Sequence, residues 1–189
     1  GWLATMTSEA LTRCATVVIR CVPASELSPN ARVTWPVRAR AVRELREAAG
    51  WAARAQLTGA EREWLMFLYS ASDRAARIIL DVDIAWPTRR KRMDDDNAWA
   101  SLKAARDGIA DALQLDDRCF RQGALVQTRG GGTVTVVLRE AGTQCFLCRE
   151  LFPLEMMEHH VWDGSFYLCP ACHAEIHEPC LCDEVWGAE

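Results

Sequence analysis

The chain has 189 residues, half of them apolar, and a formal net charge of −4. That length leaves room for one good core plus a small appendage. No run approaches the roughly 18 uninterrupted apolar residues of a transmembrane helix. No signal-peptide layout opens the sequence, so a cytoplasmic protein with no membrane partner is the expectation.

The charge is unevenly spread. Residues 1–140 carry 21 Lys and Arg against 17 Asp and Glu, a balance of +4, whereas residues 141–189 carry Arg149 alone against nine acids, a balance of −8. Two domains are expected on that division, and only the first offers a surface suited to DNA. Twenty of the 22 basic residues are Arg. This suits bidentate phosphate contacts, although a GC-rich genome accounts for it equally well.

CATVVIRCV (14–22) is β-branched and apolar and reads as a buried strand, with Cys14 and Cys21 as small core residues. Pro23 to Asn30 is a turn-rich loop. Pro36 to about Gln56 reads as a helix begun by a proline and rich in Arg, ended by Thr58-Gly59. A second helix is expected over 59–74, with Trp64, Leu65, Phe67 and Leu68 in its core pattern. Residues 76–86 form the next strand, ended by Pro87. Asp81 and Asp83 point to one face of it, as solvent-facing residues or as the edge of a metal site.

Residues 89–117, RRKRMDDDNAWASLKAARDGIADALQLDD, organise the rest. The basic run Arg89, Arg90, Lys91 and Arg92 precedes the carboxylates Asp94, Asp95 and Asp96 and then Asn97. At about 100° per residue, Asp96, Lys103 and Asp107 share one stripe of a helix, with Asp111 beside it. Leu102, Ala105, Ile109 and Leu113 take the opposite face. Clustered carboxylates repel unless a cation joins them, and hard oxygen ligands select Mg²⁺ or Mn²⁺. A basic run beside such a site suits metal-assisted phosphodiester hydrolysis. Asp is also favoured at helix starts, so a charged, solvated helix end explains the spacing equally well. Residues 118–128 and 132–139 then read as a β-hairpin around Arg129 to Gly132.

DDDN, Lys103 four residues before Asp107, and the pair Asp116-Asp117 together resemble the signature of the RusA-type Holliday-junction resolvases, especially their phage-encoded relatives. SPNARVTW (28–35) resembles that family's loop after its first strand, and the Arg-rich segment 37–54 its first helix. ARIILDVDIAW and GGTVTVVL resemble the strands on either side of its acidic motif. The likeness spans roughly residues 14–140. It implies an α+β domain with a mixed sheet that acts as a homodimer on four-way DNA junctions, in a bacterial cell and encoded by a phage or prophage. By the same resemblance, Asp94, Asp96 and Asp117 would hold Mg²⁺ or Mn²⁺. Lys103 would assist at the phosphate, and Asp107 and Asp116 would position Lys103 or water. Asn30 and Arg32 would join Arg89, Arg90, Lys91 and Arg92 as DNA contacts.

Residues 141–189 form the second domain. Cys145-x2-Cys148 and Cys169-x2-Cys172 have the spacing of two zinc knuckles, which predicts a structural Zn²⁺ on four thiolates. All four histidines, His159, His160, His173 and His177, fall in this segment. Their order resembles the zinc-bearing HNH, or ββα-metal, nucleases. In that family His159, His173 and His177 would ligate a catalytic metal and His160 would be the general base. The position of the family's central asparagine holds Gly164. Three readings stand: a degenerate, structural HNH-like finger, an active second nuclease, or a plain zinc ribbon whose histidines are incidental. On a separate, non-catalytic reading of the whole chain, the acidic finger recruits a protein partner. Cys180 and Cys182 have no assigned role.

Overall fold

The computed structural model describes residues 13–70, 77–144, 151–152, 157–161, 165–168 and 170–175. The chain divides into two compact units, Arg13–Glu140 and a second made of Ala141–Glu189 with the first twelve residues. The fold is α+β.

In the larger unit the order is β1 (Cys14–Ile19), α1 (Trp35–Gln56), α2 (Gly59–Ser70), β2 (Ile78–Pro87), α3 (Asp95–Ser101), α4 (Lys103–Leu113), β3 (Phe120–Gly130) and β4 (Thr133–Glu140). Alternation with period two sorts the strands. Ala15, Val17 and Ile19, the even residues of β2 from Ile78 to Trp86, and Val134, Val136 and Leu138 are all buried on one face of the sheet. They meet Leu45, Ala49 and Ala53 of α1, Leu65 and Leu68 of α2, and Ala105, Ile109 and Leu113 of α4 in one core. Asp81 and Asp83 lie on the opposite face from this core, away from the helix that carries the acidic motif. There Asp81 pairs with Arg139 and accepts from the Ala124 amide.

The sheet order is β1-β4-β2-β3, with β2 antiparallel to β4 and parallel to β3. The expected hairpin therefore does not form: β3 and β4 follow one another in the chain but bracket β2. The apolar β2 takes the centre because it can bond on both sides. The glycine run lets the chain step over its end, where Gly132 at φ +76 donates its N–H to the Ala85 carbonyl at 2.9 Å.

The single acidic helix expected from the sequence is two helices. The Ser101 hydroxyl donates to the Ala98 carbonyl at 2.8 Å. Such back-bonding competes with the helical ladder and bends it, and Leu102 stands at the break. Two packing expectations also change. Cys14 is exposed and Cys21 only half-buried. Phe67 is 49% exposed, leaving Trp64, Leu65 and Leu68 as the buried side of α2.

The second unit holds a two-residue pairing of β5 (Thr143–Gln144) with β6 (Leu151–Phe152). It also holds an antiparallel pair, β7 (Glu158–Val161) with β8 (Ser165–Leu168), followed by α5 (Pro170–Glu175). Buried Leu168 gathers Phe152, Met157 and Cys172 around it. Among the described residues no helix is long and apolar enough to cross a membrane.

Candidate functional site

The acidic motif begins where β2 gives way to α3. Asp94 caps α3, its carboxylate accepting the Asn97 amide at 3.2 Å. Asp95 is pinned from below by Gln127 of β3, whose Nε2 donates to Asp95 Oδ1 at 2.8 Å and to the Met93 carbonyl at 2.9 Å. The same Gln127 side chain accepts from the buried Trp86 indole at 2.8 Å. One buried amide thus ties β2, β3 and the start of the acidic helix together, with all its polar atoms used. Asp96, next in line, is exposed and has no ion-pair partner among the described residues.

Asp96 opens onto a cavity of about 370 Å³ between α3, α4 and the sheet. Leu80, Val82, Ile109 and Val136 line its apolar side, and Lys103, Arg106 and Gln122 join Asp96 on its polar side. After α4 the chain folds back. Gln114 ends the helix in the left-handed region at φ 58, and the Leu115 amide returns to the Ala110 carbonyl at 3.0 Å. Asp116 then caps a short 3₁₀ turn by accepting the Arg118 amide at 2.9 Å. This return places Asp117 against the first turns of α4. Its Oδ2 lies 2.9 Å from Arg106 Nη2 and 3.8 Å from Lys103 Nζ. Lys103 also reaches Asp107 at 3.1 Å. Asp117 therefore contacts Lys103 and Arg106, the two cations that line the cavity with Asp96.

Arg106 carried no expectation, yet it is the link between the cavity and Asp117. Its Nε is buried without a hydrogen-bond partner among the described residues. The signal was available: Arg106 lies three residues after Lys103, on the same side of the helix. Beside this cluster, burial pushes the Cys119 thiol up to about 12, and the Asp116 carboxylate adds to the effect.

Asp94, Asp96 and Asp117 are not gathered into one cage. Among the described residues no three His, Cys, Asp or Glu side chains form a metal-binding group. The donor chemistry of Asp94 and Asp96 still fits a small divalent ion, which keeps several waters and takes one or two carboxylates. Asp117 differs, being held by two cations.

Arg90 is also placed otherwise than expected. Its guanidinium lies 4.6 Å over the Trp86 ring and donates to the Pro23 carbonyl, and burial lowers its pKa. It anchors the turn before the acidic motif to the 23–30 loop. Arg89, Lys91 and Arg92 remain exposed, as do Asn30 and Arg32. Arg38 shapes the loop bearing Asn30 and Arg32, donating to the Ala31 carbonyl at 2.9 Å.

In the second unit His159 and His160 lie on β7, in register with Tyr167 and Phe166 of β8. Cys172 and His173 are half-buried on α5. Cys145, Cys148, Cys169, His177, Gly164, Cys180 and Cys182 lie outside the described residues, as does the expected continuation of α2 to residue 74.

No protein-family model matches the chain. Over 126 residues it is 34% identical to an uncharacterized protein of Xylella fastidiosa, a match covering 61% of this chain and 71% of the relative. The chain belongs to the family of that protein. The shared segment is about as long as the larger unit, which spans Arg13–Glu140.

Proposed function

We propose that the larger unit is a divalent-metal-dependent endodeoxyribonuclease of the RusA type, cutting branched DNA by phosphodiester hydrolysis. The observation that carries this reading is the shared cavity wall of Asp96, Lys103 and Arg106, with Asp107 and Asp117 tied to those two cations. Carboxylates beside a Lys and an Arg suit a site that must hold both a cation and a phosphate.

Asp94 and Asp96 would hold the divalent ion, Mg²⁺ or Mn²⁺. Bound there, the ion supplies a lowered pKa for water and neutralises charge growing on the phosphoryl oxygens. Lys103 meets the phosphate as a point charge, and Arg106 offers a planar fork suited to two phosphate oxygens. Asp117 and Asp107 hold those cations in place until the phosphate arrives. Arg89, Lys91 and Arg92 grip the backbone without reading sequence. Two cuts in a four-way junction require two such sites, hence a homodimer.

A second reading places a nuclease in the smaller unit, because β7, β8 and α5 follow the strand-strand-helix order of ββα-metal enzymes. In the first reading that unit is a finger held by structural Zn²⁺ on Cys145, Cys148, Cys169 and Cys172. Its acidity makes it a docking point for a protein partner.

Cleavage of a labelled four-way junction and of linear duplex, with Mg²⁺ or Mn²⁺, separates the two readings. Paired nicks in the junction, lost in Asp96→Asn and kept in His160→Ala, are the expected result. Loss only in His160→Ala would move the active site to the smaller unit.

A further inference from the structure

α1 and α4 cross very closely. A Cβ on Gly108 would sit 2.1 Å from the Arg46 carbonyl oxygen, and one on Gly50 would sit 3.1 Å from that of Gly108. Above these two glycines the helices leave a second groove, about 370 Å³, with Trp51, Arg43 and Arg54 along its α1 side. The Trp51 ring is 69% exposed and contributes little to the core, yet Arg54 lies over it at 5.6 Å. A large bare aromatic with an Arg on its face is a stacking platform.

One of the groove's two acids is already paired. Arg46 grips Asp111 through two nitrogens at 2.6 and 2.9 Å, and that bond holds the Asp111 carboxyl below its usual range. Glu47 is left as an acceptor. Three arginines against Glu47 and Asp111 leave a balance of +1.

The groove is also in line with the candidate site. Lys103, Asp107 and Asp111 follow one another up α4, and Arg46 feels both Asp111 and Asp107. Eight residues of helix rise about 12 Å. That is roughly three to four steps of a DNA strand at 3.4 Å each.

We propose that this groove is a second nucleic-acid contact, taking an unpaired nucleotide of the strand that leaves the candidate site. The base stacks on Trp51, Arg43 and Arg54 meet its phosphate, and Glu47 accepts from the base edge. A branch point is where such a nucleotide becomes available. The inference rests on reading the larger unit as a branched-DNA nuclease.

The test uses the full chain and a fluorescein-labelled oligo(dT) of about 12 nucleotides, followed by anisotropy in EDTA over a range of salt. Junction cleavage in Mg²⁺ is measured beside it. Trp51→Ala should weaken oligo(dT) binding about tenfold while Trp51→Phe keeps most of it, because any π-face can stack. Arg43→Ala and Arg54→Ala should each flatten the salt slope by about 0.7. Trp51→Ala binding as tightly as the parent would overturn the groove, and if the parent still cuts junctions the nuclease reading survives alone. A parent that neither binds nor cuts DNA overturns both. A Trp51→Ala protein with parental DNA affinity that turns monomeric where the parent is dimeric would make this face a protein contact instead.

Discussion

Gln127 is the side chain on which the position of the acidic motif most depends. Gln127→Leu keeps the volume but removes three hydrogen bonds of 2.8 to 2.9 Å. The costs differ by partner. The Trp86 ring is wholly buried, so its stranded N–H costs about 1–3 kcal/mol. The Met93 carbonyl is half-buried and contributes roughly 1 kcal/mol. Asp95 is exposed and can turn to water, so its loss costs little. The expected destabilisation is about 3 kcal/mol, read as a lower urea midpoint at unchanged slope. Gln127→Glu separates hydrogen bonding from shape. It keeps an acceptor for Trp86 but sets a carboxylate against the Met93 carbonyl and Asp95. Its folded-state pKa is therefore raised above the unfolded value near 4.3. The ionised form is then the destabilised one. The deficit should be full at pH 7 and should shrink as pH falls through the raised value, since the protonated acid can donate again. A Gln127→Leu protein within 1 kcal/mol of the parent, or a Gln127→Glu deficit that does not narrow in acid, would refute this account.

Gly108→Ala forces a methyl to 2.1 Å from the Arg46 carbonyl, so α1 and α4 must separate. A loss of about 3 kcal/mol is expected, the upper end for overpacking, and thermal melting of the variant checks it. Gln114→Gly should do the opposite, because the left-handed conformation at φ 58 costs a non-glycine residue about 1 kcal/mol. The same melting experiment reads the gain. Cys119, with its thiol pushed up to about 12, should resist alkylation at pH 8 until the protein is denatured, whereas exposed Cys14 should react at once. Peptide mass spectrometry distinguishes the two; rapid native labelling of Cys119 would count against its burial.

Local periodicity was enough to find the helices and the buried side of the acidic segment: Leu102, Ala105, Ile109 and Leu113 are all buried. Strand positions were legible for the same reason. Strand partners were not. Which strand lies beside β2 depends on how well two distant segments bury apolar surface together, and the short glycine turn suggested a hairpin that the sheet does not contain. The break at Leu102 came from one hydroxyl choosing a carbonyl, a competition that spacing does not record. At the site, the Lys103–Asp107 pair follows from its four-residue spacing, whereas the return of Asp117 onto α4 turns on Gln114 taking the left-handed conformation, which spacing does not show. Arg106 stands outside both the acidic motif and the basic run, so only its spacing from Lys103 marks it. A run of basic residues likewise does not reveal that Arg90 is the one to lie over an aromatic face, that of Trp86.

The sheet order also bears on how the protein is made. Ile19 of β1 pairs with Val134 of β4, roughly 115 residues further on. At about 5–20 residues per second, β1 leaves the ribosome on the order of ten seconds before β4, its one sheet neighbour among the described residues. Throughout that interval a β-branched, apolar strand has its hydrogen-bonding edges open. Closing such a distant pairing is also intrinsically slow. The step that completes the sheet is thus the last one available to the nascent domain. A chaperone that shields an extended apolar segment would have its natural target in residues 14–19.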